Sequence, residues 1–311
     1  MGNKTVLLTG GNGFLGRHLQ RELKSKGYKV FAPTRKEADF LDYNTCILNL
    51  GEVNSCIHLA AEVGGMEFNM NYPARVYYNN VTLGMNILNA ARISGTEKVV
   101  IIGTASSYPE HTKIPIMEEY FWFGEPEPLT ASYGNSKRAL LAYSNACRKQ
   151  YGLNSIHLIP TNVYGEGDDF NSEHIRVVAA TIKKVYEAKK NNLDFIKVWG
   201  TGKTTREFLH VKDCVRGIVL ALEKYDDPKP INLGTGKETS IMELVKTICK
   251  LMDYNGEIIF DPDAPDSHKR RILDVKKARD SFGFYHEISL YEGLKRTIEW
   301  YIGEVNNVQT N

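Results

Sequence analysis

The sequence predicts an α/β protein, a doubly wound parallel sheet followed by a smaller mixed α/β unit. Through the first half of the chain, short β-branched runs alternate with segments of helical period, the pattern that βαβ units impose. The first such run passes straight into three spaced glycines, Gly10, Gly13 and Gly16, where a helix must begin. The chain has 311 residues, 42% hydrophobic and 24% charged, which suffices for about two globular cores.

The elements follow in order. Strands are expected at 5–8, 28–32, 55–59, 98–102 and 155–158, short runs rich in β-branched and other apolar residues. Helices are expected at 14–26, 75–94 and 132–151. From Gly165-Glu166-Gly167-Asp168-Asp169 the pattern loosens into a turn-rich entry to a helix at 175–190. A helix around 214–223 and a strand at 230–233 read as a return to the first unit, which is therefore discontinuous. No internal repeat or low-complexity segment appears, and His268-Lys269-Arg270-Arg271 is too short to be an interaction tail.

Charge and cysteine usage exclude several classes. Lys and Arg number 39 against 37 Asp and Glu, so no electrostatic footprint for nucleic acid is present. The run Val99 to Ile102 falls far short of the roughly 20 residues that span a bilayer, so no membrane partner is expected. The N-terminus enters a strand without the apolar core of a signal peptide, and Val6 stands where myristoylation needs Ser or Thr. Five cysteines, odd in number and without a CxxC pair, point to neither disulfides nor a metal site, and the expected compartment is the cytoplasm.

Thr9-Gly10-Gly11-Asn12-Gly13-Phe14-Leu15-Gly16 sits at the first strand-to-helix junction, where a tight turn, close pyrophosphate approach and close helix packing each exclude a side chain. This is a Rossmann dinucleotide fingerprint, and it assigns residues 1–165 plus about 212–235 to cofactor binding, and about 166–211 plus 236–311 to substrate. The second strand ends at Thr34-Arg35-Lys36 with no acid for the ribose hydroxyls, so Arg35 is expected to pair with a 2′-phosphate, which selects NADP. Leu59, Ala60 and Ala61 end another strand with small residues against which a cofactor can lie. Tyr133 and Lys137 are four apart on one helical face, and Gly103-Thr104-Ala105-Ser106 places hydroxyls at the carboxyl end of a central strand. A phenol beside an ammonium suits protonation of the alkoxide left by hydride delivery to a ketone.

These residues, with Ala60-Ala61-Glu62-Val63-Gly64-Gly65, Asn71-Tyr72-Pro73-Ala74, Pro160-Thr161-Asn162-Val163-Tyr164-Gly165, Trp199-Gly200-Thr201-Gly202 and Arg206-Glu207-Phe208-Leu209-His210-Val211, resemble the extended short-chain dehydrogenase/reductase family over essentially the whole chain. Within it they resemble the branch that epimerises a GDP-linked 4-keto-6-deoxymannose at carbons 3 and 5 and reduces carbon 4 with NADPH. The resemblance implies that Tyr133 is the proton donor, that Lys137 lowers its pKa and holds the nicotinamide ribose, and that Thr104 replaces the usual Ser. It implies that Asp39 contacts the adenine amino group, that Asn162, Trp199, Arg206 and Arg270 hold the sugar nucleotide, and that helices 75–94 and 132–151 pair across a two-fold axis in a homodimer.

Three departures bear on the reaction. Ser106 stands where that branch has its epimerising Cys; His174 matches the partner acid only if the loop 170–173 is two residues shorter; and Ala264 replaces a Lys before Pro265-Asp266. The expected activity is therefore 4-reduction, with weak or absent epimerisation. An NAD-dependent 4-epimerase or 4,6-dehydratase is the alternative, opposed by Arg35 and by Ala105 and Ser106 where a dehydratase carries an acid and base pair. A dinucleotide-sensing regulator is opposed by the retention of Thr104, Tyr133 and Lys137.

Overall fold

The computed structural model describes residues 4–64, 66–171, 175–261 and 270–309. The chain begins β1 (Thr5–Thr9), α1 (Phe14–Ser25), β2 (Lys29–Phe31), α2 (Tyr43–Leu50), β3 (Ser55–His58), α3 (Met66–Asn71), α4 (Pro73–Ser94), β4 (Lys98–Ile102), α5 (Ala131–Tyr151) and β5 (Ser155–Pro160). It continues β6 (Asn162–Tyr164), α6 (Val177–Lys190), β7 (Phe195–Trp199), β8 (Thr205–Arg206), β9 (Phe208–His210), α7 (Val211–Lys224) and β10 (Ile231–Leu233). Last come β11 (Thr239–Ser240), α8 (Ile241–Leu251), β12 (Glu257–Asp261), α9 (Lys276–Phe282) and α10 (Leu290–Gln309).

Six strands form one parallel sheet in the order β10-β5-β4-β3-β1-β2. The winding reverses between β1 and β3, which opens a crevice at their carboxyl ends. Register sets Thr9 beside His58, His58 beside Ile101 and Ile101 beside His157, so one row of side chains crosses the sheet near that crevice. Side chains in register on parallel strands leave the same face, here the face covered by α4 and α5. Those two helices approach closely at Gly84, where a β-carbon would stand 2.3 Å from Leu140 Cδ1. Helix α4 starts at Pro73, two residues before the expected boundary, because a proline at the first helical position is already preset in φ.

On the opposite face, Leu19 and Leu23 of α1 and Ile218 of α7 pack against Val6, Leu8, Ile57 and Val100. A second core gathers Ile182 and Val185 of α6, Leu244 and Ile248 of α8 and Leu294 of α10. Three two-stranded ladders, β6 with β9, β7 with β12 and β8 with β11, belong to this half of the chain. Asn232 on β10 ties the halves: its Oδ1 accepts the Tyr108 hydroxyl at 2.6 Å, and its Nδ2 donates to the carbonyls of Ile116 and Asp274 at 3.0 Å each. Among the described residues, no helix is long and apolar enough to cross a membrane.

Candidate active site

The crevice is a cleft of about 610 Å³ whose walls include Gly10, Asn12, Gly13, Arg35, Asp39 and the run Leu59-Ala60-Ala61. Gly10 has φ +69°, and a β-carbon on it would stand 2.8 Å from the Ala60 nitrogen. One on Gly16 would stand 2.3 Å from the Gly10 carbonyl oxygen, so the turn and the start of α1 close on each other only without side chains. Gly13 caps α1 with no side-chain bond, and the first turn carries no acid, which leaves its N–H groups and the positive helix end for an anion. Phe14 and Leu15 pack their half-buried side chains against the core, and Arg176 lies over the Phe14 ring. Asn12 Nδ2 donates to the Ala32 carbonyl at 3.2 Å and ties the turn to β2. This cradle fits the pyrophosphate of a dinucleotide.

Arg35 is 78% exposed, and its Nε is 3.9 Å from Asp39 Oδ2, a long pairing that leaves the guanidinium fork open toward the cleft. Glu62, Phe40 and Asn79 complete the wall. Glu62, after β3, is tied to α4: Asn80 both accepts its N–H and donates to its carbonyl, at 2.9 Å each, while Arg75 and Asn79 hold its carboxylate at 2.5 Å.

Helix α5 carries Tyr133 and Lys137 on one face, with Lys137 Nζ 5.8 Å from the Tyr133 ring centroid. Lys137 is 2% exposed, and burial pulls its pKa down to about 8, so it is mostly protonated at neutral pH. The Tyr133 phenol corrects the expectation that Lys137 makes it more acidic. Burial pushes it up to about 12, and the cation that opposes this is Arg176. Desolvation of the phenolate outweighs an ammonium that lies over the ring.

Thr104 Oγ1 accepts the Ser106 N–H at 3.2 Å and caps the single 3₁₀ turn that follows β4. That turn presses on α5: Ser107 Oγ donates to the Gly134 carbonyl at 3.0 Å, and a β-carbon on Gly134 would be 2.4 Å from the Ser106 carbonyl oxygen. Thr104, Ser106, Tyr133 and Lys137 are thereby brought together at the carboxyl end of the sheet. His174 lies outside the described residues, as do Ala264, Pro265 and Asp266.

Asn162 Nδ2 donates to the Glu207 carbonyl at 2.9 Å, and Arg206 bonds the Thr205 carbonyl at 2.6 Å. Trp199 ends β7 at 73% exposure. Arg270 points to solvent and grips the Glu238 carboxylate with Nε and Nη2 at 2.7 Å each. Its neighbour Arg271 is the one that turns inward, with Nη1 3.4 Å from Ser106 Oγ and Nη2 3.7 Å from Glu127 Oε2. Burial, and then the charge of Arg206, lower the Arg271 pKa to about 10. A period-two signal was available for this: Arg271 and the buried Leu273 share one side of an extended segment. Reading the site by motif also misses Glu207, whose buried carboxylate accepts the N–H groups of Thr235, Gly236 and Leu273 and so anchors the segments bearing Arg206 and Arg271.

Residues 6–234 match the profile of the NAD dependent epimerase/dehydratase family, and the chain belongs to it. It is an enzyme of the oxidoreductase class, of the extended short-chain dehydrogenase/reductase type. It is 34% identical over 304 residues to a GDP-L-fucose synthase of Sinorhizobium fredii, covering 97% of this chain and 96% of that one. Its fold is similar to that of a GDP-6-OMe-4-keto-L-xylo-heptose reductase from C. jejuni, with TM-score 0.89, 26% identity and coverage of 97% and 98%. A GDP-mannoheptose C4 reductase from Campylobacter jejuni with NADP bound matches with TM-score 0.88, 27% identity and coverage of 96% and 98%.

Proposed function

We propose that the enzyme reduces carbon 4 of a GDP-linked 4-keto sugar with NADPH. The observation that carries this reading is the seating of Tyr133, Lys137 and Thr104 beside the dinucleotide cradle, in a chain similar to GDP-sugar synthases and reductases along nearly its whole length. NADP(H) is the cofactor, and when bound it supplies the hydride to the carbonyl carbon. Gly10, Gly13 and the first turn of α1 hold its pyrophosphate, and Arg35 pairs with its 2′-phosphate. Tyr133 gives its phenolic proton to the alkoxide oxygen, which balances the added hydride and yields the alcohol. Thr104 bonds the same oxygen, and Lys137 supplies positive charge beneath the phenolate that forms. Arg206 pairs with the substrate diphosphate, and Asn162 and Trp199 bound the sugar-nucleotide side.

Ala105 and Ser106 have no group that titrates near neutral pH, which disfavours the dehydratase alternative. The test is NADPH oxidation with a panel of GDP-4-keto sugars, and product mass: a gain of two hydrogens per NADPH consumed is expected, and no oxidation across the panel refutes the reading.

A further inference from the structure

Under the catalytic helix, three ring nitrogens of two buried histidines have no hydrogen-bond partner among the described residues. His58 on β3 and His157 on β5 flank Ile101 in the row across the sheet, and each is 1% exposed. His58 Nδ1 is 2.8 Å from Thr9 Oγ1, a hydroxyl oxygen that also accepts the Ala60 N–H at 3.2 Å. The Thr9 contact engages Nδ1 and leaves Nε2 as the other ring nitrogen. That Nε2 is unpartnered, as are both nitrogens of His157. His157 is held firmly: its Nε2 would be 2.4 Å from a β-carbon on Gly103, and its ring meets the Phe121 ring edge-on at 6.4 Å. The Lys137 charge reaches both rings, yet neither ring bonds Nζ directly. Buried polar groups in folded proteins are almost always satisfied, by protein or by ordered water.

We propose that Lys137, His58 and His157 enclose an ordered-water site, and that the two imidazoles act through this water as positioning residues for the lysine. The inference rests on the reading that Lys137 serves ketone reduction. Water in such a site accepts an ammonium N–H of Lys137 and donates to an imidazole nitrogen. The titratable groups facing Lys137 are then Tyr133 on its own helix, His58 on β3 and His157 on β5. Burial keeps both histidines neutral, with pKa values of about 3, so they serve as hydrogen-bond partners and not as competing cations. Removing such a partner leaves the ammonium less well solvated and lowers its pKa further.

Two measurements decide the matter. A crystal structure at about 1.6 Å resolution is expected to show water within hydrogen-bond distance, about 3 Å, of Lys137 Nζ and of a His157 nitrogen. A dry site overturns the proposal. In the pH profile of kcat/KM for ketone reduction, His157→Leu is expected to shift the alkaline limb down by about one unit, about tenfold in rate above it. His157→Gln, which restores a polar atom, is expected to recover most of that shift. His58→Asn keeps the Thr9 contact, deletes Nε2, and gives the same direction of change should the Leu variant not fold. An alkaline limb unmoved in the folded variants overturns the positioning role even if water is seen. If the wild type reduces no GDP-4-keto sugar, the proposed function fails, and the crystal structure still decides the water site.

Discussion

His58 and His157 make the protein acid-labile in a way that can be calculated. Burial holds both near pKa 3, against 6.5 for an exposed imidazole. The unfolded chain binds protons at these two positions below about pH 6.5, and the folded chain does not. Stability contributed by the neutral rings is therefore intact above the unfolded pKa and is lost as the pH falls through and below it. Between about pH 7 and about pH 5.5 the linkage integral gives about 1.3 kcal/mol per histidine, or about 2.5 kcal/mol for the pair. The assay is urea unfolding at those two pH values for the wild type and for a His58→Asn, His157→Leu double variant. The variant's overall stability does not matter, because the readout is the loss between the two pH values. Wild type should lose about 2.5 kcal/mol more than the variant. Equal losses would mean that the rings are already protonated in the native state, and the argument from burial would be wrong.

Further outcomes are expected at the site itself. Tyr133→Phe should cut kcat/KM by about 10² to 10⁴ while NADPH affinity by fluorescence titration stays near the wild-type value. Arg35→Ala should lower the preference for NADPH over NADH by about tenfold, measured as a ratio of kcat/KM values, because an open guanidinium fork pairs with the 2′-phosphate. In deuterated water the product should carry little deuterium at carbons 3 and 5 by mass, since the Ser106 hydroxyl is no base near pH 7; uptake above a no-enzyme control refutes this. Sedimentation at micromolar concentration should show a dimer, since α4 and α5 pack together and leave Tyr77 and Tyr78 on an exposed face.

Local chemistry made part of the molecule readable in advance. The glycine turn, the apolar strands and the Tyr133 to Lys137 spacing each depend on residues a few positions apart, and the structure has them as expected. What depends on partners far along the chain was not readable. The row from Thr9 to His157 exists through the register of four strands, and no one segment encodes that register. Motif position favoured Arg270 over Arg271, whereas the extended backbone before Leu273 decides which of the two faces inward. The acidity of Tyr133 failed as an expectation for a related reason: spacing brings a lysine near, but the dielectric around the phenol is a property of the packed whole. Two-residue strands such as β8 and β11 carry too little pattern to be recognised alone.

The place of β10 has a consequence for how the protein is made. This strand closes the sheet beside β5, yet it is synthesised only after β6 to β9, α6 and α7. In a nascent chain that has emerged through β5, that strand is a sheet edge in addition to β2, and Asn232 is not yet there to collect Tyr108 and the carbonyl of Ile116. The contact of Asn232 with Asp274 comes later still. The six-stranded sheet is therefore completed only after much of the later chain has been made, although N-terminal domains ordinarily fold first. Until residue 233 has left the exit tunnel, β5 lacks its partner strand, and a chain stopped before that point lacks both the sixth strand and the Asn232 contacts.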